Sequence, residues 1–545
     1  MGGISKINGR GLDRRSLLVG VAATAGAVSA GLATRAAAAA ATAPTATTAS
    51  GQVRGYNDGP IKVFKGVPYG APTGGAARWK PAAPPAKWTG IKDTIMPGQM
   101  CPQNLGAPMA EETAMLQTGP IGEDCLNLNV STPAVGANSG KRPVIVWYHG
   151  GGYAAGSANA TSYDARNLCE KHDVVVVAVT HRLNVFGFLY LADLFGPDYA
   201  DSGNVGIMDC VAALKWVRDN IANFGGDPAN VTIAGQSGGG GKVSTLMAIP
   251  DAKGLFHRAV AESGANLRSP TTQTAAANAK KFVDALGVKT IAELQAVPAD
   301  KLVATMNQAR TPASPVNDGR TLTHDPFSPG APPESRDVPM LLGTTETEMV
   351  FFPTTPLDPI DDAKFRELVK TSTRASDADV DKLIAVFRHA YPGKDNTYLF
   401  QLLASQTSFQ EGTVAEAERK AAQGGAPAYL YYFTKHTPVR GGKLRAPHTL
   451  EIPYVFDSLA HSQPIIGPVT PEQQALADKV SSTWVAFART GNPNNPKVPH
   501  WAPYDLQNRP VMVINDAWKL ENDPLKETRE AIADLRTRTP GGMFG

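Results

Sequence analysis

An α/β fold, with a mostly parallel sheet covered by helices on both faces, is predicted by three features of this 545-residue sequence. Short β-branched or aromatic runs recur along the chain, a strongly periodic helical segment separates two of them, and a helix-rich stretch interrupts them late. In order, the runs are VIVWYHG (Val144 to Gly150), VVVVAVTHR (Val174 to Arg182), VTIAG (Val231 to Gly235), VPMLLGTT (Val338 to Thr345) and AYLYYF (Ala428 to Phe433). Near-continuous apolar runs of this kind suit strands buried on both faces. The helical segment is GIMDCVAALKWVRDNIANF, in which Ile207, Cys210, Ala213, Leu214, Val217 and Ile221 share one face. Alternation of strand and helix implies parallel pairing, because a parallel partner is reached only through a crossover. From about Thr274 to Gly425 the chain is helix-rich apart from VPMLLGTT, which predicts helical, cap-like insertions over one end of the sheet. PAAPPAKW and SPGAPPES read as surface turns, and there is no internal repeat or long linker. Residues 42–545 therefore read as a single domain, since one sheet with insertions can exceed the usual domain size.

Residues 1–41 have a different character. The pair Arg14 and Arg15 precedes LLVGVAATAGAVSAGLA and an alanine-rich stretch with several AxA points, the pattern of a twin-arginine export signal. Gly20, Gly26 and Gly31 in the apolar part suit a removable segment better than a membrane span, with an uncleaved anchor or an unfolded tail as alternatives. The expected location is periplasmic or extracellular, with no stable membrane association after cleavage. This segment also carries a local charge of +4, so the whole-chain value of +3 leaves a nearly neutral body. Such a balance gives no general reason to bind nucleic acid. Four cysteines are too few for a disulfide scaffold in so long a chain. Cys101 and Cys125 flank a polar stretch read as a surface loop, where a bridge would stabilise by about 3 kcal/mol. Cys169 and Cys210 lie in helix-like surroundings and read as buried free thiols. CxxC and HExxH are absent, so no metal or other cofactor is expected.

The segment VTIAGQSGGGGKV places Ser237 at the junction of a strand and a helix-capable segment. There GxSxG can form a strained turn that exposes a nucleophilic hydroxyl and aims the first helical N–H groups beside it. A plain glycine-rich turn is the competing interpretation. HGGGYAAGS, from His149 to Ser157, follows another buried strand, and its glycines leave backbone N–H groups free to approach an oxyanion. Gly151, Gly152 and Gly238 are the candidate donors. Glycine-rich turns also bind phosphate, but GxxxxGK[ST] is absent and HGGGY is not GxGxxG.

FKGVPYGAP, EDCLNLNV, VIVWYHGGGY, HRLNVFGF, GNVGIMD, ALKWVRDNIANFGGDPANVTIAGQSGGG, GLFHRAVAESG, EIPYVF and WVAFARTGNPN are similar, together and in this order, to the type-B carboxylesterase family. The likeness runs from about Gly51 to Pro524 and includes the family's bacterial para-nitrobenzyl-esterase-like members. It implies the α/β-hydrolase fold and a serine hydrolase that cleaves small carboxylic esters through a Ser-His-Glu triad and an acyl-enzyme, without cofactor. Within LLGTTETEMVFF it implies Glu348 as the acid, with Glu346 the nearby competitor; within RAPHTLEIPYVF it implies His448 as the base, rather than His389, His436, His461 or His500. It further implies that Ser263 supports the acid, and that Arg78 and Glu123 form a structural salt bridge near Cys101 and Cys125. Three departures stand out. Gly238 replaces the family's usual alanine and, with Gly240 and Gly241, lowers helix propensity. Cys210 replaces a common glutamine. The segment between Cys101 and Cys125 has no Phe, Tyr or Trp, which argues against choline esters because they need an aromatic face. A non-catalytic binding protein on the same fold, and a hydrolase of amides, lactones or lipids, are the alternatives. Acyl and alcohol preference and oligomeric state are not legible.

Overall fold

The computed structural model describes residues 43–104 and 119–538; residues 1–41, read above as an export signal, lie outside it. Among the described residues fourteen strands form: β1 (Thr45–Thr48), β2 (Gly51–Arg54), β3 (Tyr56–Asp58), β4 (Ile61–Pro68), β5 (Ile91–Asp93), β6 (Asn127–Thr132), β7 (Arg142–Tyr148), β8 (Val175–Val179), β9 (Gly226–Gln236), β10 (Arg258–Glu262), β11 (Met340–Thr345), β12 (Ala428–Phe433), β13 (Pro510–Ile514) and β14 (Lys519–Asn522). An 11-stranded sheet has the order β14-β13-β12-β11-β10-β9-β7-β8-β6-β4-β3, while β1, β2 and β5 make a small separate sheet. From β8 across to β13 every neighbouring pair is parallel; the outer ladders β3·β4, β4·β6, β6·β8 and β13·β14 are antiparallel.

The β-branched runs become the middle of the sheet because they can be buried on both sides. In β7, Val144, Val146 and Tyr148 join one hydrophobic layer and Ile145 and Trp147 the other. In β8, Val175, Val177 and Val179 alternate with Val176 and Ala178 in the same way. The periodic segment forms the Val205–Asn220 helix, and the shared face is wholly buried against the sheet. The helix-rich stretch supplies the Asp362–Thr373, Asp377–Ala390 and Asn396–Ser405 helices, which pack with Lys526–Arg538 into a third apolar cluster reaching Met349, beside the loop that leaves β11.

The expected bridge between Cys101 and Cys125 is corrected. Both are free and wholly buried rather than set at the edge of an exposed loop. As thiols they are already satisfied: Leu183 N–H donates to Cys101 Sγ at 3.2 Å, and the hydrogen bond with Cys101, together with burial, pushes the Cys125 thiol well above its ordinary pKa. Each packs as a small apolar residue in the main core. Residues 105–118 between them lie outside the described part. Cys169 and Cys210 are buried free thiols, as expected.

Candidate active site

The parallel strands end on one rim of the sheet, and the loops that leave β7, β9, β10, β11 and β12 carry the chemistry. β9 ends at Gln236, and the Gly238–Leu246 helix begins one residue later, leaving Ser237 at φ 57°, ψ −125°. A non-glycine residue there stores about 1–3 kcal/mol of strain. The turn closes only because its neighbours lack side chains: a Cβ at Gly235 would come within 2.6 Å of Tyr148 O and Gly239 C, and one at Gly239 would collide with Tyr148 O. The Ser237 N–H donates to Glu262 O at 2.8 Å, which ties the turn to β10. Ser237 is half-buried between the buried Gln236 and Gly239.

After β11 the chain turns so that Glu348 is fully buried. His448 Nδ1 donates to Glu348 Oε2 at 2.5 Å, and Glu348 Oε1 accepts Ser263 Oγ at 2.6 Å and the Thr345 N–H at 2.8 Å. A proton held at Nδ1 leaves Nε2 as the basic atom of the neutral ring. The competing carboxylate, Glu346, points elsewhere and pairs with His436 Nε2 at 2.6 Å nearer the surface. His389 pairs with Glu527 and His461 with Asp164, away from this cluster. Phe409 tilts against the His448 ring with centroids 4.8 Å apart.

Gln236 was not singled out in the sequence, yet its Nε2 lies 3.3 and 3.4 Å from the two ring nitrogens of His448. An in-plane approach at nearly equal distances would drive the amide into Cε1, so it sits over the ring face. The imidazole and the serine turn are thus neighbours through Gln236. Among the described residues no hydrogen bond joins Ser237 Oγ to the ring, and such bonds commonly tighten only when substrate is bound.

Behind Ser263 lie two more buried carboxyls that the sequence did not signal. Glu451 Oε1 is 3.3 Å from Ser263 Oγ, and Glu262 Oε1 accepts the Trp484 indole N–H at 2.6 Å. Burial pushes Glu262 up to about 8, and burial with the neighbouring Glu262 and Glu348 pushes Glu451 well above its ordinary value. One hydroxyl proton cannot serve two carboxylates. Ser263 makes its short bond to Glu348, and the raised pKa of Glu451 favours its protonated form, which relieves the longer contact.

A sequence profile of the carboxylesterase family matches residues 42–532. The chain belongs to that family. It is 33% identical over 495 residues to the para-nitrobenzyl esterase of Bacillus subtilis (strain 168), covering 88% of this chain and 97% of that one. It is 30% identical over 481 residues to the phenmedipham hydrolase of Pseudarthrobacter oxydans, covering 86% and 94%. Among solved structures, the Geobacillus stearothermophilus carboxylesterase at pH 6.2 superposes with a TM-score of 0.77 at 34% identity, covering 89% of this chain and 99% of that one. A Clostridium hathewayi esterase described as hydrolysing aliphatic aromatic polyesters gives 0.78 at 31% identity, covering 91% and 98%. The fold is therefore the α/β-hydrolase fold, and the protein is a carboxylic ester hydrolase.

In this carboxylesterase the loop after β7 presents Gly151 and Gly152 at φ 89° and 63°, both exposed, beside the start of the Gly238–Leu246 helix. Among the described residues the N–H groups of Gly151, Gly152 and Gly238 have no acceptor. Arg78 makes two parallel bonds to Glu123, Nη2 to Oε1 at 2.6 Å and Nε to Oε2 at 2.7 Å, and its Nη1 donates to Gln295 O and Val297 O. This bidentate pair braces the segment near Cys125 against the helical insertion. No cluster of three His, Cys, Asp or Glu able to hold a metal occurs among the described residues, and no described helix is long and apolar enough to cross a membrane.

Proposed function

We propose that hydrolysis proceeds by a Ser237–His448–Glu348 triad through an acyl-enzyme. The observation that carries this is the buried 2.5 Å bond from His448 Nδ1 to Glu348, on a ring packed under Gln236, next to the serine turn. Ser237 Oγ attacks the ester carbonyl while His448 Nε2 takes its proton; the carbonyl π electrons move to the oxygen, which is held by the Gly151, Gly152 and Gly238 N–H groups. Collapse expels the alcohol, which receives the proton from His448. Water then attacks the acyl-Ser237 ester by the same route, releasing the acid and restoring the hydroxyl. Glu348, bonded to Nδ1, stabilises the transient imidazolium.

The substrates are small carboxylic esters, a reading supported by the name of the para-nitrobenzyl esterase relative. Residues 42–545 act as one catalytic unit, and Arg14–Arg15 with the apolar segment behind them support export. Ser237→Ala should lower kcat on p-nitrophenyl acetate by on the order of 10⁶-fold with an unchanged circular dichroism spectrum, and should abolish covalent labelling by a fluorophosphonate. Turnover retained by this variant would refute the serine assignment.

A further inference from the structure

Lys242 lies on the first turns of the Gly238–Leu246 helix and is completely buried. A buried cation is costly unless something local satisfies it. Its Nζ donates to His149 O at 3.0 Å and to Gly152 O at 2.9 Å, the two ends of the glycine loop, and lies 5.4 Å from the centroid of the Tyr153 ring. The titratable groups facing it are His149 after β7, His181 after β8, Cys210 on the Val205–Asn220 helix, and Tyr153 in the loop itself. None supplies a negative charge near neutral pH. Burial and Lys242 push His149 down to about 3, the same causes push His181 well below its ordinary value, and burial pushes Cys210 and Tyr153 up. The two neutral imidazoles stack with centroids 4.9 Å apart at 12°.

The glycine run completes the arrangement. A Cβ at Gly238 would fall on the carbonyl of Gly152, so the loop sits closer to this helix than alanine there permits. One turn later Lys242 grips that same carbonyl from below. We propose that Lys242 is a positioning residue for ester hydrolysis: its ammonium, bound to the carbonyls of His149 and Gly152, fixes the glycine loop with the Gly151 and Gly152 N–H groups turned toward the oxyanion. The inference rests on the oxyanion role proposed above for those glycines. The two carbonyls belong to the peptide units of the Gly150 and Tyr153 N–H groups, which bracket the donors, so charge on Nζ acts on Gly151 and Gly152 by position: charge-assisted bonds hold the loop more firmly than those of a neutral amine. Burial lowers the Lys242 pKa to about 8. The free amine keeps two N–H groups but loses the charge, so kcat should fall as pH rises through that value.

The test compares wild type, Lys242→Met and Ser237→Ala on p-nitrophenyl acetate, corrected for spontaneous hydrolysis. Lys242→Met with a wild-type circular dichroism spectrum should lose about 10- to 100-fold in kcat with KM within about threefold. Its affinity for a trifluoromethyl ketone, which forms the same oxyanion, should weaken by the same factor, and the alkaline fall of kcat seen in wild type should be absent. A merely structural lysine would move the melting temperature without that split. The proposal is overturned by a variant kcat within twofold of wild type, by a loss confined to KM, or by a wild-type kcat that stays flat from pH 7 to 9.5. If Lys242→Met does not fold, the wild-type pH profile decides alone. An inactive Ser237→Ala beside a fully active Lys242→Met sinks this inference only, whereas an active Ser237→Ala sinks the triad.

Discussion

Glu262 closes β10 with its carboxyl buried against Trp484, one residue before Ser263 and within the field of Glu451. Its ordinary pKa of 4.5 is raised to about 8 in the fold, mainly by burial. The folded protein therefore holds a proton that the unfolded chain has released between those values, and stability must fall as pH rises from 4.5 to 8. Below 4.5 the contribution is complete; above 8 it is lost. Glu262→Gln keeps an acceptor for the indole N–H and removes the titration. Its melting temperature should exceed that of wild type by a few degrees at pH 8 and by much less at pH 5. Parallel melting curves for the two proteins across that range would contradict the assignment. At this scale Ser237 stands out from its own glycine-rich string, whereas Glu348, one of two nearby glutamates, and His448, one of the five histidines that follow it, are singled out only by the family resemblance. Gln236, Lys242, Glu262 and Glu451 were not legible, because a glutamine, a lysine or a glutamate in a string looks solvated, and only burial converts it into part of a site.

The Gly238–Leu246 helix has four glycines in its first turn, a poor start on propensity alone. Packing explains them: the helix enters against the backbone of the glycine loop and of β7, where side chains would collide. Gly238→Ala, which restores the residue usual in the family, should therefore reduce activity here. The added methyl would collide with Gly152 O and must displace the glycine loop, and on the oxyanion role proposed above a displaced donor costs on the order of 10²-fold in kcat. Unchanged kcat in a folded Gly238→Ala protein would show that the loop yields without penalty. Among the strands, β7, β8, β9, β11 and β12 were readable because continuous apolar runs have few other uses. β13, apolar but only five residues long and headed by Pro510, and β10, mixed because Arg258 and Glu262 sit at its ends, emerge only as partners of the strands beside them. The antiparallel margin was hidden too: β3 and β14 are largely half-exposed or exposed, so their sequences have no apolar run to display.

For the molecule as a whole, all four cysteines are reduced and buried. Protein purified without reductant should show no rapid thiol reaction with dithionitrobenzoate when native and four equivalents after denaturation, and dithiothreitol should leave its melting temperature unchanged. Two equivalents in denaturant would reveal a bridge. The core instead depends on the two faces of the sheet, each covered by its own apolar layer. The interleaved order of that sheet has a temporal meaning as well. β12, and with it the imidazole, comes late in synthesis; 100 residues separate His448 from Glu348, and most of them belong to the helical insertion. On the triad proposed above, a nascent polypeptide that has reached the end of β11 carries Ser237 without its base. On that reading, a chain made without the part beyond β12 has the serine turn and the glycine loop in its sequence but lacks the group that activates the hydroxyl.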